Sequence, residues 1–164
     1  MKASSLKDIK ADLKNSSKDE LLELTLRLIR FKKDNKELIT YLLYESDNDD
    51  LFIESCKSDM NESFAQINRS SFFFIRKAIR KILSLTKKNI RYAQKKNIEI
   101  ELLLHFCKLL TEFRPKISRN KVLMNTLETQ TRMLRKSIST MNEDLQHDYT
   151  VLLEEILEGF QEKG

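Results

Sequence analysis

Glycine, proline and tryptophan are scarce in this chain of 164 residues, which contains two Gly, one Pro and no Trp. So few turn-forming residues argue against a β-rich architecture and favour long helices joined by short polar connections. With Gly159 and Gly164 as the only glycines in the sequence, a glycine-rich phosphate-binding loop is excluded. The sequence also contains no zinc signature, nucleophile elbow or kinase motif. We therefore find no local signature of an enzyme and predict no catalytic residue.

Long apolar runs are also missing. No run approaches the roughly 18 apolar residues needed to cross a bilayer. The first ten residues, MKASSLKDIK, lack the apolar core of a signal peptide. The two cysteines, Cys56 and Cys107, lie far apart in sequence and favour buried thiols in a reducing compartment over a disulfide. We therefore expect a cytoplasmic protein with no membrane partner.

Apolar residues recur every three to four positions along most of the chain. This period predicts an all-α fold, a single-domain bundle of seven to eight helices over residues 1–164. Three short helices are expected in an N-terminal part, 5–46, and longer antiparallel helices in a bundle over 49–160. The segment 97–114 is the most apolar, and it is predicted to lie at the centre of that bundle.

The N-terminal segment combines Lys-Leu pairs, a capping box and a Leu-rich helix. The residues concerned are Leu6, Lys7, Leu13, Lys14, Ser17, Lys18, Glu20, Leu21, Lys36, Glu37 and Leu38. In this pattern residues 5–43, about a quarter of the chain, resemble the opening of an uncharacterised family of small helical bacterial proteins. The resemblance implies an all-helical fold and carries no catalytic residue across. The segment is also similar to the two-helix SAP module of DNA-binding proteins, but that module has a glycine-containing turn where this chain has Asn15-Ser16-Ser17.

The stretch 69–98 contains ten Lys or Arg residues and no Asp or Glu. On a helical wheel its apolar residues fall on one side and its cations on the other, which predicts one amphipathic helix of about 27 residues. The exception is Phe73, whose side chain is predicted to point out among the cations. The resulting candidate face for an anion, a nucleic acid or a protein partner consists of Phe73, Arg76, Lys77, Arg80, Lys81, Lys88 and Arg91. Arg132, Arg135 and Lys136 of a later helix are possible additions to it.

Two acidic segments offer an internal partner for this basic face. Residues 45–62 contain seven acids and one Lys, and the outer side of the last helix, 142–160, is acidic as well. Over the whole chain 25 acidic residues nearly balance 30 basic ones, which gives a net charge of +5. We therefore favour a face that is solvated and partly neutralised by the two acidic helices. The sequence leaves open how far that neutralisation goes.

Histidine and carboxylate pairs raise the question of a metal site. Glu101 and His105, and Asp144 and His147, share a helix side by their spacing. Dinuclear carboxylate bundles require two Glu-x-x-His motifs, and this sequence has none. We therefore expect ordinary polar pairs, with no metal and no cofactor.

Two functional hypotheses follow from these patterns. The first is a non-enzymatic interaction or scaffold protein that binds a protein partner or a second copy of itself. The alternative is a nucleic-acid-binding accessory protein that uses the basic helix 69–98. Ion pairs between the acidic helices and the basic face would favour the first hypothesis. Cations that have no acidic partner would favour the second.

Overall fold

The computed structural model describes residues 2–162 and is all-α, as the sequence predicts. The described residues form eight α-helices and no strand. The helices are α1 Leu6–Asn15, α2 Lys18–Phe31, α3 Lys33–Thr40, α4 Asp49–Ala65, α5 Phe72–Ala93, α6 Lys96–Glu112, α7 Lys121–Ile138 and α8 Glu143–Glu162. A π-helical turn, Tyr41–Glu45, follows α3, and a 3-10 turn, Ile117–Arg119, precedes α7. No helix within residues 2–162 is both long and apolar enough to cross a bilayer.

The chain divides into two compact units, an N-terminal unit of residues 1–44 and a C-terminal unit of residues 45–164. The division falls close to the boundary predicted between the short-helix part, 5–46, and the long-helix bundle, 49–160. The three short helices occupy the first unit and the five longer ones the second. That the whole chain forms a single domain stays a prediction.

Serine side chains begin the first two helices. The Ser5 hydroxyl accepts the Asp8 N–H at 3.2 Å at the start of α1. At the start of α2 the Ser17 hydroxyl accepts the Glu20 N–H at 3.2 Å, while the Glu20 carboxylate accepts the Ser17 N–H at 2.7 Å. Both arms of the predicted Ser17–Glu20 capping box are therefore present, and each satisfies a backbone donor that the helix itself leaves unpaired.

Helix α6 forms the centre of the C-terminal unit, as predicted. It packs against α4, α5, α7 and α8, and nine of its residues are buried. Its largest buried side chain, Phe106, meets Phe64 of α4 edge to face, with ring centroids 5.8 Å apart. Burying each such Leu, Ile or Phe contributes about 1.5–3 kcal/mol, so this helix provides the core on which the other four are held.

The basic segment is shorter than one helix over 69–98. Helix α5 begins at Phe72 and ends at Ala93, after 22 residues. Gln94 then adopts a left-handed conformation with φ 53°, and its N–H donates to the Ile90 carbonyl at 2.9 Å. A left-handed residue ends a helix because it turns the next carbonyls off the helix axis. The predicted C-terminal boundary of this helix is therefore wrong, since 96–98 belong to α6.

Candidate functional site

Helix α5 is amphipathic in the structure as well as in the sequence. Its apolar side, centred on Ile75, Ile79 and Ile82, is buried in the core cluster, and the helix packs on α4 and α6. The candidate residues lie on the outward side of the same helix. Lys77, Arg80, Lys81 and Arg91 are exposed, as is Phe73, whereas Arg76 and Lys88 are half-buried. The structure thus brings the predicted candidate residues together on one helix.

Five cations of the candidate face have no acidic partner among the residues that the structure describes. The side chains of Arg76, Lys77, Arg80, Lys81 and Arg91 form no ion pair with any residue that the structure describes. We call these residues the five unpaired cations; the half-buried Lys88 is not counted with them. The sequence left the degree of neutralisation open, and for these five the described residues supply none.

Two acids of α4, Asp49 and Glu54, form ion pairs elsewhere. Asp49 contacts Lys95, which lies beyond the end of α5, at 2.6 Å. Farther along α4, Lys57 contacts Glu54 at 3.5 Å and Glu101 of α6 at 2.9 Å. The acidic segment 45–62 therefore reaches the end of the basic helix and the central helix, but not the five unpaired cations.

A neutral polar contact joins α4 and α5. The side-chain amide of Asn89 donates to the Cys56 sulfur at 3.3 Å. In α8, Glu154 contacts Arg135 of α7 at 2.7 Å. This ion pair engages one of the three later cations that the sequence suggested as additions to the face. In the part of the chain that the structure describes, neither acidic helix therefore pairs with the five unpaired cations.

An exposed aromatic pair stands at the start of the same helix. Phe73 and Phe74 are 61% and 45% exposed, and their rings meet edge to face with centroids 5.4 Å apart. Phe72, in contrast, packs against the core. Sequence analysis predicted Phe73 on the surface and missed Phe74. Three successive residues spread over about 200° of a helix, so a run of three Phe cannot be buried as a whole.

The histidine and the carboxylate of the α6 pair, His105 and Glu101, make polar contacts. The His105 ring nitrogen Nε2 lies 2.8 Å from the Asn61 side-chain oxygen, and Glu101 contacts Lys57. Burial lowers the pKa of His105, and the nearby charges of Lys57 and Lys108 lower it further. Within residues 2–162 no group of three His, Cys, Asp or Glu side chains is arranged to hold a metal ion.

Both cysteines are buried and free. Burial raises the pKa of Cys56 to about 12, and burial alone raises that of Cys107 to about 12 as well. Because the thiolate is the reactive form, these thiols are poor nucleophiles at neutral pH. They pack as small apolar side chains, which agrees with the interpretation drawn from the sequence.

No family model matches this chain, and no curated protein or solved structure matches it. The resemblance of residues 5–43 to a family of small helical bacterial proteins therefore stays a prediction. Function has to be argued from the residues of this chain alone.

Proposed function

We propose that this protein is a nucleic-acid-binding accessory protein that holds a phosphate backbone along α5. The proposal rests on one observation. Among the described residues, no acid of α4 or α8 forms an ion pair with any of the five cations. Pairing of those helices with the basic face was the main argument for the competing hypothesis. Two buried, free thiols support the cytoplasmic location expected from the sequence.

The spacing of the cations suits a long anion better than a small one. Lys77 and Arg91 are 14 residues apart, which corresponds to about 21 Å along a helix. Between them Arg80 and Lys81 continue the outward side. A small anion requires donors that converge on one point, whereas a phosphate backbone presents a line of charges. The row along α5 therefore favours a linear polyanion.

Repulsion within the row also favours such a ligand. Arg76 and Arg80, Lys77 and Lys81, and Lys77 and Arg80 are like-charged neighbours at helical spacing. Each pair opposes the helix by about 0.2–0.5 kcal/mol. Phosphate groups beside these side chains relieve that repulsion, and the release of condensed counterions adds to the affinity.

Charge reversal tests the proposal. The triple variant Lys77→Glu, Arg80→Glu, Lys81→Glu reverses three exposed cations of α5. We expect the wild-type chain to bind labelled oligonucleotides in fluorescence anisotropy at low salt and the variant to lose that binding.

The matched control reverses three exposed cations on one side of α1. These residues are Lys7, Lys10 and Lys14. An equal loss of binding in this control would mean that total charge matters and not the α5 face, and it would contradict the proposal.

A specific observation also favours protein binding, the first hypothesis from the sequence. Leu21, Leu24, Leu28 and Phe31 of α2 are 37–84% exposed. Their steps of three and four place them on one side of the helix, as at the contact positions of a coiled coil. A partner helix, from another protein or from a second copy of this chain, would cover this row.

Light scattering after size exclusion, over a concentration series, tests self-association through α2. A dimer that Leu24→Glu dissociates would support this second candidate. If the wild-type chain stays monomeric at every concentration, self-association through α2 is ruled out. The partner helix for the apolar row would then belong to a different protein.

A further inference from the structure

We propose that α5 selects single-stranded nucleic acid, with an unpaired base stacked on the aromatic pair Phe73 and Phe74. This inference rests on the proposed function and adds the form of nucleic acid that the face accepts. It depends on the aromatic pair, whereas the proposed function depends on the cations, so the two can be tested separately.

The aromatic pair is exposed without being part of a larger apolar surface on α5. Phe73 is 61% exposed and Phe74 is 45% exposed, and the two rings contact each other. On α5 the exposed positions within two turns after the pair are Lys77, Arg80 and Lys81. A protein-binding patch would be expected to surround such rings with further apolar side chains. Here their surroundings are cationic.

The rings stand within one helical turn of the cations. Arg76 and Lys77 follow Phe73 at three and four residues, so their Cβ atoms are neighbours on the helix surface at about 5–6 Å. A base stacked on the Phe73 ring therefore has its own phosphate within reach of one of these side chains. Aromatic rings beside a row of cations are the usual components of a single-strand binding surface.

Stacking distinguishes single strands from duplexes. In a duplex the faces of the bases are covered by their neighbours, and an exposed ring reaches only the edges or the backbone. In a single strand every base has a free face, so the contact is available and largely independent of sequence. We therefore expect the cations to attract both forms and the aromatic pair to favour single strands.

The start of α5 adds to the attraction for phosphate. Its first turn contains no acid, and the Ser71 side chain does not cap it. The first N–H groups of the helix, which belong to the Phe residues, therefore remain available beside the aromatic pair.

The test compares a labelled oligothymidine with a duplex of the same length, using the full chain in fluorescence anisotropy. We expect Phe73→Leu to weaken single-strand binding roughly 5- to 140-fold, the range that corresponds to loss of the aromatic partner of one stacked base. Duplex binding should change by less than about twofold, because only the cations hold it. Phe73→Trp should retain single-strand binding. Tyr44→Leu, which removes an exposed aromatic ring from the turn Tyr41–Glu45, is the matched control and should change neither.

Each alternative outcome has a distinct signature. An equal loss of single-strand and duplex binding in Phe73→Leu would overturn the stacking role and leave the proposed function intact. Absence of binding to either form by the wild-type chain would overturn both. Unchanged single-strand binding, with an altered molecular mass in light scattering, would identify the aromatic pair as a protein contact and overturn the inference.

Discussion

The Lys95 Nζ atom lies 2.6 Å from the Asp49 carboxylate, and this ion pair joins the turn after α5 to the first turn of α4. The Asn97 side-chain amide donates to the other oxygen of the same carboxylate at 3.1 Å. The acidic segment that precedes the basic helix is thus paired at the end of that helix and not along its face. This arrangement leaves the five unpaired cations available to a ligand.

The pair predicts a specific response to acid. The hydrogen bond from Lys95, followed by that from Asn97, lowers the pKa of Asp49 in the folded chain. Its stabilisation is therefore present above the ordinary pKa of 3.8 and is lost as pH falls through the folded value. We expect Asp49→Asn to lower the free energy of unfolding by about 0.5–1 kcal/mol at neutral pH, since the pair is partly exposed. In urea titrations the difference should decline as pH falls towards 3.8 and be lost below the folded pKa of Asp49.

Asp50→Asn is the control for this prediction. Asp50 is the next residue of the same first turn, it is exposed, and it forms no ion pair among the described residues. If both variants lower the free energy of unfolding by the same amount, the loss comes from the helix dipole and not from the contact with Lys95.

A second prediction concerns the capping box at the start of α2. No residue of α2 is buried, so the helix depends more than usual on local interactions. We expect Ser17→Ala to increase hydrogen exchange at the Glu20 and Leu21 amides roughly fivefold, because it removes the acceptor for the Glu20 N–H. Ser4→Ala, outside any helix, should leave these amides unchanged. Unaltered exchange in Ser17→Ala would mean that the box does not stabilise α2.

The period of apolar residues was sufficient to predict the helices and the central position of α6. The end of α5 was not predictable in this way. Left-handed residues at helix ends are usually Gly or Asn, and here the residue is Gln94. Thr140 and Glu143 have the spacing of a capping box, but this pair does not begin α8. In the structure Asn142 caps this helix by accepting the Leu145 N–H at 3.0 Å.

A third prediction follows from His105. Burial keeps its folded pKa below the ordinary value of 6.5, so the unfolded chain takes up the proton first as pH falls. More protons on the unfolded state mean that stability declines below about pH 6.5. His105→Gln can keep the contact with Asn61 and cannot titrate. We expect its unfolding midpoint in urea to change less than that of the wild type from about pH 7.5 to about pH 5.

His147→Gln is the control, because His147 is exposed on α8. If both variants reduce the pH dependence of the unfolding midpoint equally, His105 has no specific role in it.

The candidate face was predictable only in part. The wheel placed Phe73 and the cations on the outward side of α5, and the structure has them there. The helical wheel could not show that Phe74 is exposed, because its burial depends on which neighbouring helix covers that side of α5. For the same reason the wheel predicted Leu85 on the buried side, yet it is 43% exposed. The sequence also could not predict which residues form ion pairs with the acidic segments, since these pairs depend on the rotation of each helix about its axis.

The last prediction uses salt to count the phosphates that α5 holds. Each phosphate neutralised on a single strand contributes about 0.7 to the slope of log affinity against log salt. With the five unpaired cations engaged, the slope for the wild-type chain should be about −3.5, and binding should be weak at about 200 mM salt. Lys81→Gln should reduce the slope by about 0.7.

Lys121→Gln makes the same change of charge at an exposed position on α7 and should leave the slope unaltered. The slope separates the α5 face from a general effect of charge because only cations in contact with phosphate change it, whereas a change of net charge alone shifts affinity at low salt. Equal changes of slope in the two variants would therefore mean that the phosphates are not held along α5.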